Sequence, residues 1–266
     1  MSKILMVVFL MNVYSVLYCN EFNWKKYSLE IEADIKIQEI KKINHWIISH
    51  LENYPFNYLD DKEILEKFNF YDFSGDGMHD IVYYGPSGSE QFITVFLQNM
   101  GDYYDESLSF YGCPVEIIQP VPNYPAIIKM REIGNEFDMV QSIQLFTPSF
   151  INNRLTYTVS SKLNYIEGTL FPERTSFVKR FSIENDNYNI RSAPEVNVNN
   201  VVAIVKSGTE GFGISSMKDE SGREWWFVLI ASNINIIQSE ITTGINNDYD
   251  FHILGWISSR FVKTIE

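Results

Sequence analysis

The chain of 266 residues is long enough for two domains of ordinary size. Hydrophobic residues make up 45% of it and aromatic residues 15%, which is enough to bury a core and excludes a disordered chain. The formal net charge of −13 repels phosphate backbones and anionic lipids, so nucleic acid is not expected as a partner. Cations and cationic ligands suit this field better.

The N-terminal residues 1–19 have the layout of a secretory signal peptide. Lys3 precedes an apolar run from Ile4 to Tyr18 that is short for a bilayer span. The mature chain is then expected to lie in the periplasm or the medium and to contain no integral membrane span. A buried N-terminal helix or a membrane anchor is the alternative.

Cys19 raises the question of lipidation, because a lipidated cysteine follows a small residue in bacterial lipoprotein signals. Tyr18 is large, so cleavage near Cys19 to Asn20 is favoured over lipidation. If cleavage removes Cys19, Cys113 is left as a single cysteine and no intrachain disulfide forms.

After the signal, helical spacing gives way to β patterns. A helix is predicted over Asp34 to Tyr54, with Ile40, Ile43, Ile47 and Leu51 on its apolar face. Apolar and polar residues alternate with period two just before it, so the position at which the helix begins is ambiguous. A second, short helix is predicted over Asp60 to Lys67. Gly, Pro and Asn clusters then separate strands predicted over residues 80–84, 92–98, 103–110, 115–119, 126–131, 139–146, 155–160 and 176–183.

The stretch "FYDFSGDGMHDIVYYG", Phe70 to Gly85, combines acidic residues and glycines directly before an apolar strand. Alternate oxygen ligands converge on a hard cation when the backbone curls in this way, with Gly77 where a calcium loop turns sharply. The predicted calcium ligands are Asp72, Ser74, Asp76, the Met78 carbonyl and Asp80. The alternative is a metal-free Asx-type turn in which the carboxylates cap backbone N–H groups.

This stretch resembles the calcium loops of FG-GAP and VCBS-type β proteins, in which "D-x-[DNS]-x-D-G-x-x-D" runs straight into a strand. Tyr83 stands where an EF-hand has its last glutamate, so the loop is not a complete EF-hand. Those families carry several copies around a propeller, whereas this chain has a single copy. The resemblance implies a calcium loop and leaves a propeller unsupported.

The C-terminal segment carries four motifs in a fixed order. They are N-x-R-S-x-P from Asn189 to Pro194, K-x-G-T from Lys206 to Thr209, a strand around Trp225, Trp226 and Val228, and G-W-I-S-S-x-F from Gly255 to Phe261. Together these motifs resemble the bacterial SH3-like (SH3b) domain. The resemblance implies a small all-β barrel that binds cell-wall peptides or proline-containing peptides in a groove lined by aromatic residues.

The resemblance suggests Tyr188, Trp226 and Trp256 as groove residues and Arg191 as a partner for a ligand carboxylate. Each tryptophan also suits a core position, because side chains alternate between the two faces of a strand. An insertion over residues 232–252 lengthens the loop before the last long strand and is expected to cover or reshape the groove.

Motifs for catalysis are missing from the sequence. It has no H-E-x-x-H pair, G-x-S-x-G elbow, phosphate loop or dinucleotide fingerprint. Cys113 precedes a proline, a pattern that is typical of the start of a strand rather than of a catalytic thiol. The acidic pairs are interpreted as solvated surface residues. No catalytic residue is therefore predicted, and an enzyme is the less favoured class.

The sequence predicts a signal peptide over residues 1–19, an α+β domain over 20–183 with one or two helices before mainly antiparallel strands, and an SH3-like barrel over 184–266. The predicted function is non-catalytic binding of a peptide or protein in the cell envelope, with calcium as a structural ion. The alternatives are a cell-wall hydrolase with an unrecognised catalytic site and a protein inhibitor or scaffold.

Export gives the first testable prediction. The mature protein should begin near Asn20 and lie outside the cytoplasm, because the segment before it has the layout of a cleaved signal. N-terminal sequencing of the native protein measures this directly. Recovery of a chain with intact Met1 from the cytosolic fraction would contradict it.

Overall fold

The computed structural model describes residues 22–43, 55–87, 92–119, 121–132, 140–152, 154–173, 179–231, 235–239, 241 and 251–265. The chain forms two compact units. The N-terminal unit comprises Tyr18–Ile133 and Gln144–Val159, and the C-terminal unit contains Gly134–Ile143 and Ser160–Glu266.

Two α-helices precede the strands in the described part of the N-terminal unit. They are α1, Ala33–Ile40, and α2, Lys62–Leu65. Ile40 is fully buried on the core side of α1, and Asp61 caps α2 by accepting a hydrogen bond from the Glu63 amide at 2.8 Å. Both predicted helices are present but shorter than predicted. Helix α1 ends at Ile40, so residues 41–43 of the first prediction are not helical, and residues 44–54 lie outside the described residues.

The N-terminal unit is built mainly from antiparallel strands. A sheet in the order β1-β2-β3-β4 contains Phe68–Tyr71, Asp80–Pro86, Phe92–Asn99 and Tyr104–Phe110. A second group contains β5 (Gly112–Ile118) and β6 (Ile127–Glu132), which pair antiparallel. The division between the units falls within the long strands β7 (Val140–Ile151) and β8 (Arg154–Ile166), so the second part of β7 and the first part of β8 belong to this unit. Strands β2 to β6 lie within about three residues of their predicted positions. Strands β7 and β8 extend beyond their predicted ends at residues 146 and 160, and β1 was not predicted as a strand.

Apolar clusters cover both faces of the four-stranded sheet. Ile81 and Tyr83 of β2 belong to one buried cluster, whereas Val82 between them belongs to another together with Phe96 of β3. Successive side chains of a strand point to opposite faces, so a strand covered on both sides reads as a continuous apolar run. This burial explains the runs "IVYY" and "ITVFL".

The C-terminal unit contains eight further strands among its described residues. They are β9 Lys179–Ile183, β10 Tyr188–Arg191, β11 Val201–Val205, β12 Glu210–Lys218, β13 Glu224–Ala231, β14 Ile236–Ser239, β15 Phe251–Ser258 and β16 Val262–Ile265. Strand β13 pairs antiparallel with β12 and β15, and the sheet continues from β12 to β9 and β16. On the other side β15 contacts β10, β10 pairs with β11, and β11 pairs with β14. The second part of β8 runs parallel to β15.

The predicted α+β class with mainly antiparallel sheets is confirmed by this arrangement. The closed SH3-like barrel and the boundary at residue 184 stay predictions. Strand β9, which precedes that boundary, belongs to the sheet of the C-terminal unit. No helix in the described part of the chain has both the length and the apolar character needed to cross a membrane.

Cys113 in β5 is buried and disulfide-bonded. Cys19 is the other cysteine of the chain and lies outside the described residues. An intrachain bond needs a mature chain that keeps Cys19, whereas cleavage after this residue removes it. An intrachain disulfide and cleavage after Cys19 therefore exclude each other. The cleavage position stays a prediction.

Lys129 is an unusual member of the core of the N-terminal unit. It lies in β6 opposite Glu116 of β5, is 1% exposed, and has its Nζ 4.0 Å from the Glu116 carboxylate. Burial lowers the pKa of Lys129 to about 8, and the Glu116 charge raises it only in part. A pKa below the ordinary value of 10.5 means that the folded state binds this proton less tightly than the unfolded chain.

The lysine gives a second prediction. Its burial penalty is fully present below about pH 8 and is lost as the pH rises towards 10.5, so the free energy of unfolding should rise over that window by about 3 kcal/mol. Lys129→Met should stabilise the protein at pH 7 and abolish this rise. Urea unfolding at pH 7, 8, 9 and 10 provides the measurement.

Lys62→Met is the matched control, because the Lys62 side chain is 90% exposed. It should keep the stability and the pH dependence of the wild type. If Lys129→Met unfolds with the same pH profile as the wild type, the buried lysine does not cause that profile.

Candidate functional sites

The acidic loop lies between β1 and β2 and is organised around its own backbone. One carboxylate oxygen of Asp72 accepts hydrogen bonds from the Gly75 amide at 2.7 Å and the Ser74 hydroxyl at 3.3 Å, and the other accepts from the Gly77 amide at 3.0 Å. Asp76 accepts from the Met78 amide at 2.8 Å. These contacts are those of an Asx-type turn.

Asp80 joins this loop to the sheet. Its carboxylate is fully buried and accepts hydrogen bonds from the Ser74 amide at 2.8 Å and the Asn99 amide at 2.9 Å. Desolvation raises the pKa of Asp80 to about 7, although both amide hydrogen bonds act in the opposite direction. The residue therefore fixes the loop to the end of β3.

Two glycines allow the loop to curl. Gly75 has φ +74°, and a Cβ there would lie 2.5 Å from the backbone carbon of Tyr124, so a side chain is excluded by conformation and by space. Gly77 has φ +87° with open space around it, so its conformation alone favours glycine. The sequence predicted the sharp turn at this second position.

Whether the loop can bind a cation depends on the oxygen lone pairs that do not already accept a hydrogen bond from the loop. In the described part of the chain, no three His, Cys, Asp or Glu side chains form a group that could hold a metal ion. The Asp72 and Asp80 carboxylates accept loop N–H groups, but carboxylate oxygens have further lone pairs. Calcium at this loop stays a prediction.

A pocket of about 340 Å³ lies in the C-terminal unit, across β10, β11 and β14. Its floor and walls combine aliphatic side chains with a guanidinium, two amides and a hydroxyl. The lining residues are Asn189, Arg191, Val198, Val201, Val202, Ala203, Ile204, Gln238 and Ser239.

Arg191 at the end of β10 is the charged residue of this lining, and it is 9% exposed. Its Nη1 donates hydrogen bonds to the Asn197 carbonyl at 2.5 Å and to Asn200 Oδ1 at 2.8 Å. Burial lowers the pKa of Arg191, but an arginine remains cationic at neutral pH. The pocket therefore contains a fixed positive charge.

Asn200 holds the loop that forms the rim of the pocket. Its Nδ2 donates to the Ala193 carbonyl at 3.5 Å and to the Glu195 carbonyl at 3.2 Å, while its own carbonyl accepts from the Ser192 amide at 2.8 Å. The loop leaves Val198 86% exposed at the pocket.

Gly255 brings β15 against β10 beneath this arginine. A Cβ at Gly255 would lie 2.6 Å from Ile190 Cγ2 and 2.8 Å from the Arg191 carbonyl oxygen. A larger residue would push the two strands apart. The glycine of the Gly-Trp motif therefore has a packing role.

The three aromatic residues predicted for the groove are not among the residues that line this pocket. Trp256 is 1% exposed and donates its indole N–H to the Leu170 carbonyl at 2.6 Å, and Trp226 is 6% exposed within the core cluster. Tyr188 is half-buried, and its hydroxyl donates to the Ser258 carbonyl at 2.6 Å. Their role in ligand binding stays a prediction, and Arg191 is the predicted residue that lines the pocket.

Sequence reasoning did not find Val198, Ile204 and Gln238, because they come from separate segments and belong to no motif. The available signal was Val196 and Val198, two valines within the polar stretch "PEVNVNN". Apolar residues in an otherwise polar turn are exposed unless another segment covers them.

No family model, curated protein or solved structure matches the chain. The resemblances to SH3-like domains and to calcium loops therefore stay predictions. The geometry of the pocket and of the acidic loop is the basis for a functional argument.

Proposed function

We propose that this protein is an exported, non-catalytic binding protein of the cell envelope. Its C-terminal unit, as an SH3-like module, binds a cell-wall or protein peptide in the pocket that Arg191 lines. The observation that carries the proposal is the little-exposed Arg191 side chain, which bonds described residues through Nη1 alone and lies in a pocket that aliphatic residues also line. A carboxylate of a peptide would accept charge-assisted hydrogen bonds from Nε and Nη2.

The size and the polar groups of the pocket support a peptide as ligand. Its volume of about 340 Å³ is near the lower end for ligand sites, which suits a few small residues. Gln238 on β14 presents an exposed amide, and such groups can donate to and accept from a peptide backbone. Aliphatic walls then hold the peptide side chains.

The basic and apolar N-terminal segment supports export, because it has the layout of a cleaved signal peptide.

The peptide pocket gives the third prediction. Val198→Asp should weaken the binding of solubilised cell-wall peptides at least tenfold, because the new carboxylate competes for the Arg191 guanidinium. The fold should survive, since Val198 is 86% exposed. Titration of the ¹⁵N-labelled protein should shift the amide signals of Asn189, Ile204 and Gln238.

Val196→Asp is the matched control, because Val196 is 67% exposed and does not line the pocket. It adds the same charge to the same loop and should bind as the wild type does. Equal affinities of the two variants, or shifts confined to residues away from the pocket, would refute the proposed site.

The proposal includes calcium as a structural ion at the acidic loop. Asp72, Asp76 and Asp80 lie within nine residues and repel one another when ionised. A divalent cation relieves that repulsion and fixes the turn that precedes β2. Because the loop lacks the last glutamate of an EF-hand, we expect a dissociation constant of about 10⁻⁴ to 10⁻³ M.

The calcium loop gives the fourth prediction. Calcium at millimolar concentration should raise the melting temperature of the wild type relative to chelator, since an ion that binds only the folded state stabilises it. Asp76→Ala should abolish this increment, because it removes an exposed loop carboxylate. Asp60→Ala, which removes an exposed carboxylate outside the loop, should retain it. Calorimetric curves of the wild type that are identical with calcium and with chelator would mean a metal-free turn.

A further inference from the structure

The guanidinium of Arg191 has one edge committed to the protein and one edge open. Both of its hydrogen bonds to described residues use Nη1. Nε and Nη2 are bonded to no described residue and are not sealed from solvent. The N–H groups of Nε and Nη2 point in parallel, which is the geometry that binds the two oxygens of a carboxylate.

Aliphatic residues line the same pocket as this arginine. They are Val198, Val201, Val202, Ala203 and Ile204, of which Val202 and Ala203 also belong to the buried core. A ligand that fills this space must therefore place a carboxylate and an apolar group side by side within a small volume.

Two side-chain amides flank the aliphatic floor. Asn189 of β10 and Gln238 of β14 are both register partners of Ile204 in β11, so the three side chains lie in a row across three adjacent strands. The side-chain amides of Asn189 and Gln238 bond to no described residue. They are placed to bond the peptide unit that precedes the apolar group.

We infer that the pocket binds the free C-terminal carboxylate of a peptide whose last residue has a small aliphatic side chain. This inference rests on the proposed peptide-binding function. A C-terminal residue carries its carboxylate and its side chain on the same Cα, so both reach Arg191 and the valines together. An internal Asp or Glu carries its carboxylate on the side chain and would place its own polar backbone against the aliphatic walls, which is unfavourable.

Calorimetric titration of the full mature chain with three short peptides tests this inference. The probes are acetyl-Gly-Gly-Ala with a free carboxylate, the same peptide as its C-terminal amide, and acetyl-Gly-Asp-Gly-amide. The free acid should bind at least tenfold more tightly than either amide, because a charge-assisted pair is lost in the first and misplaced in the second. Replacing the last Ala by Val should preserve binding, and replacing it by Trp should abolish it, because the pocket is small.

Equal binding of the acid and its amide would overturn the inference and leave peptide binding intact. Binding of the internal Asp peptide as tight as that of the free acid would also overturn it. If none of the three peptides binds while cell-wall peptides still shift the pocket amides, the inference fails and the proposed function stands. Absence of any peptide binding would overturn both.

Arg191→Lys keeps the charge and removes the paired N–H edge. It should reduce the preference for the acid over the amide at least fivefold, whereas Arg180→Lys should not change it, because Arg180 is exposed and pairs with Glu210 away from the pocket. If Arg191→Lys fails to fold, the series of last residues and the acid-to-amide ratio of the wild type still decide the question.

Discussion

The pocket of the C-terminal unit depends on the buried guanidinium of Arg191. A charge that is so little exposed must be hydrogen-bonded, and Nη1 meets this need by bonding the loop that follows β10. Asn200 is bonded in turn to the carbonyls of Ala193 and Glu195, so a loop of polar residues becomes a fixed rim. A rim that is already ordered does not have to be ordered again when a ligand binds, which favours affinity.

The N-terminal unit also contains a buried ionisable group that is held by hydrogen bonds, the Asp80 carboxyl group. Asp80 begins a strand that is covered on both faces, and its carboxylate accepts the amides of Ser74 and Asn99 that the sheet leaves unpaired. The cost of burying this carboxylate is visible in its raised pKa. The loop is therefore anchored by its last aspartate with or without a cation, and a cation would act on the two more exposed carboxylates before it.

Much of the fold could be predicted from the sequence, because apolar alternation and Gly, Pro and Asn clusters mark the strands directly. The position of each tryptophan could not. Alternation places Trp225 and Trp226 on opposite faces of β13, and both are buried, which means that both faces of the strand are covered at this position. Arg191 was found by motif, whereas Gln238 becomes its neighbour through the pairing of β10, β11 and β14, which no local pattern encodes. Val198 joins the pocket from the turn before β11.

The proposed carboxylate ligand must approach a protein of net charge −13. The repulsion by the acidic surface and the attraction by the guanidinium are compatible because they act over different distances. Salt screens exposed charges beyond about 8 Å, so the acidic surface slows the encounter of an anionic peptide only modestly at physiological ionic strength. Inside the pocket the guanidinium acts over hydrogen-bonding distance and in a medium that is poorer in water, where its attraction is much stronger. An anion that does not fit the pocket gains none of this short-range attraction, so the shape of the pocket rather than the surface charge would give the selectivity.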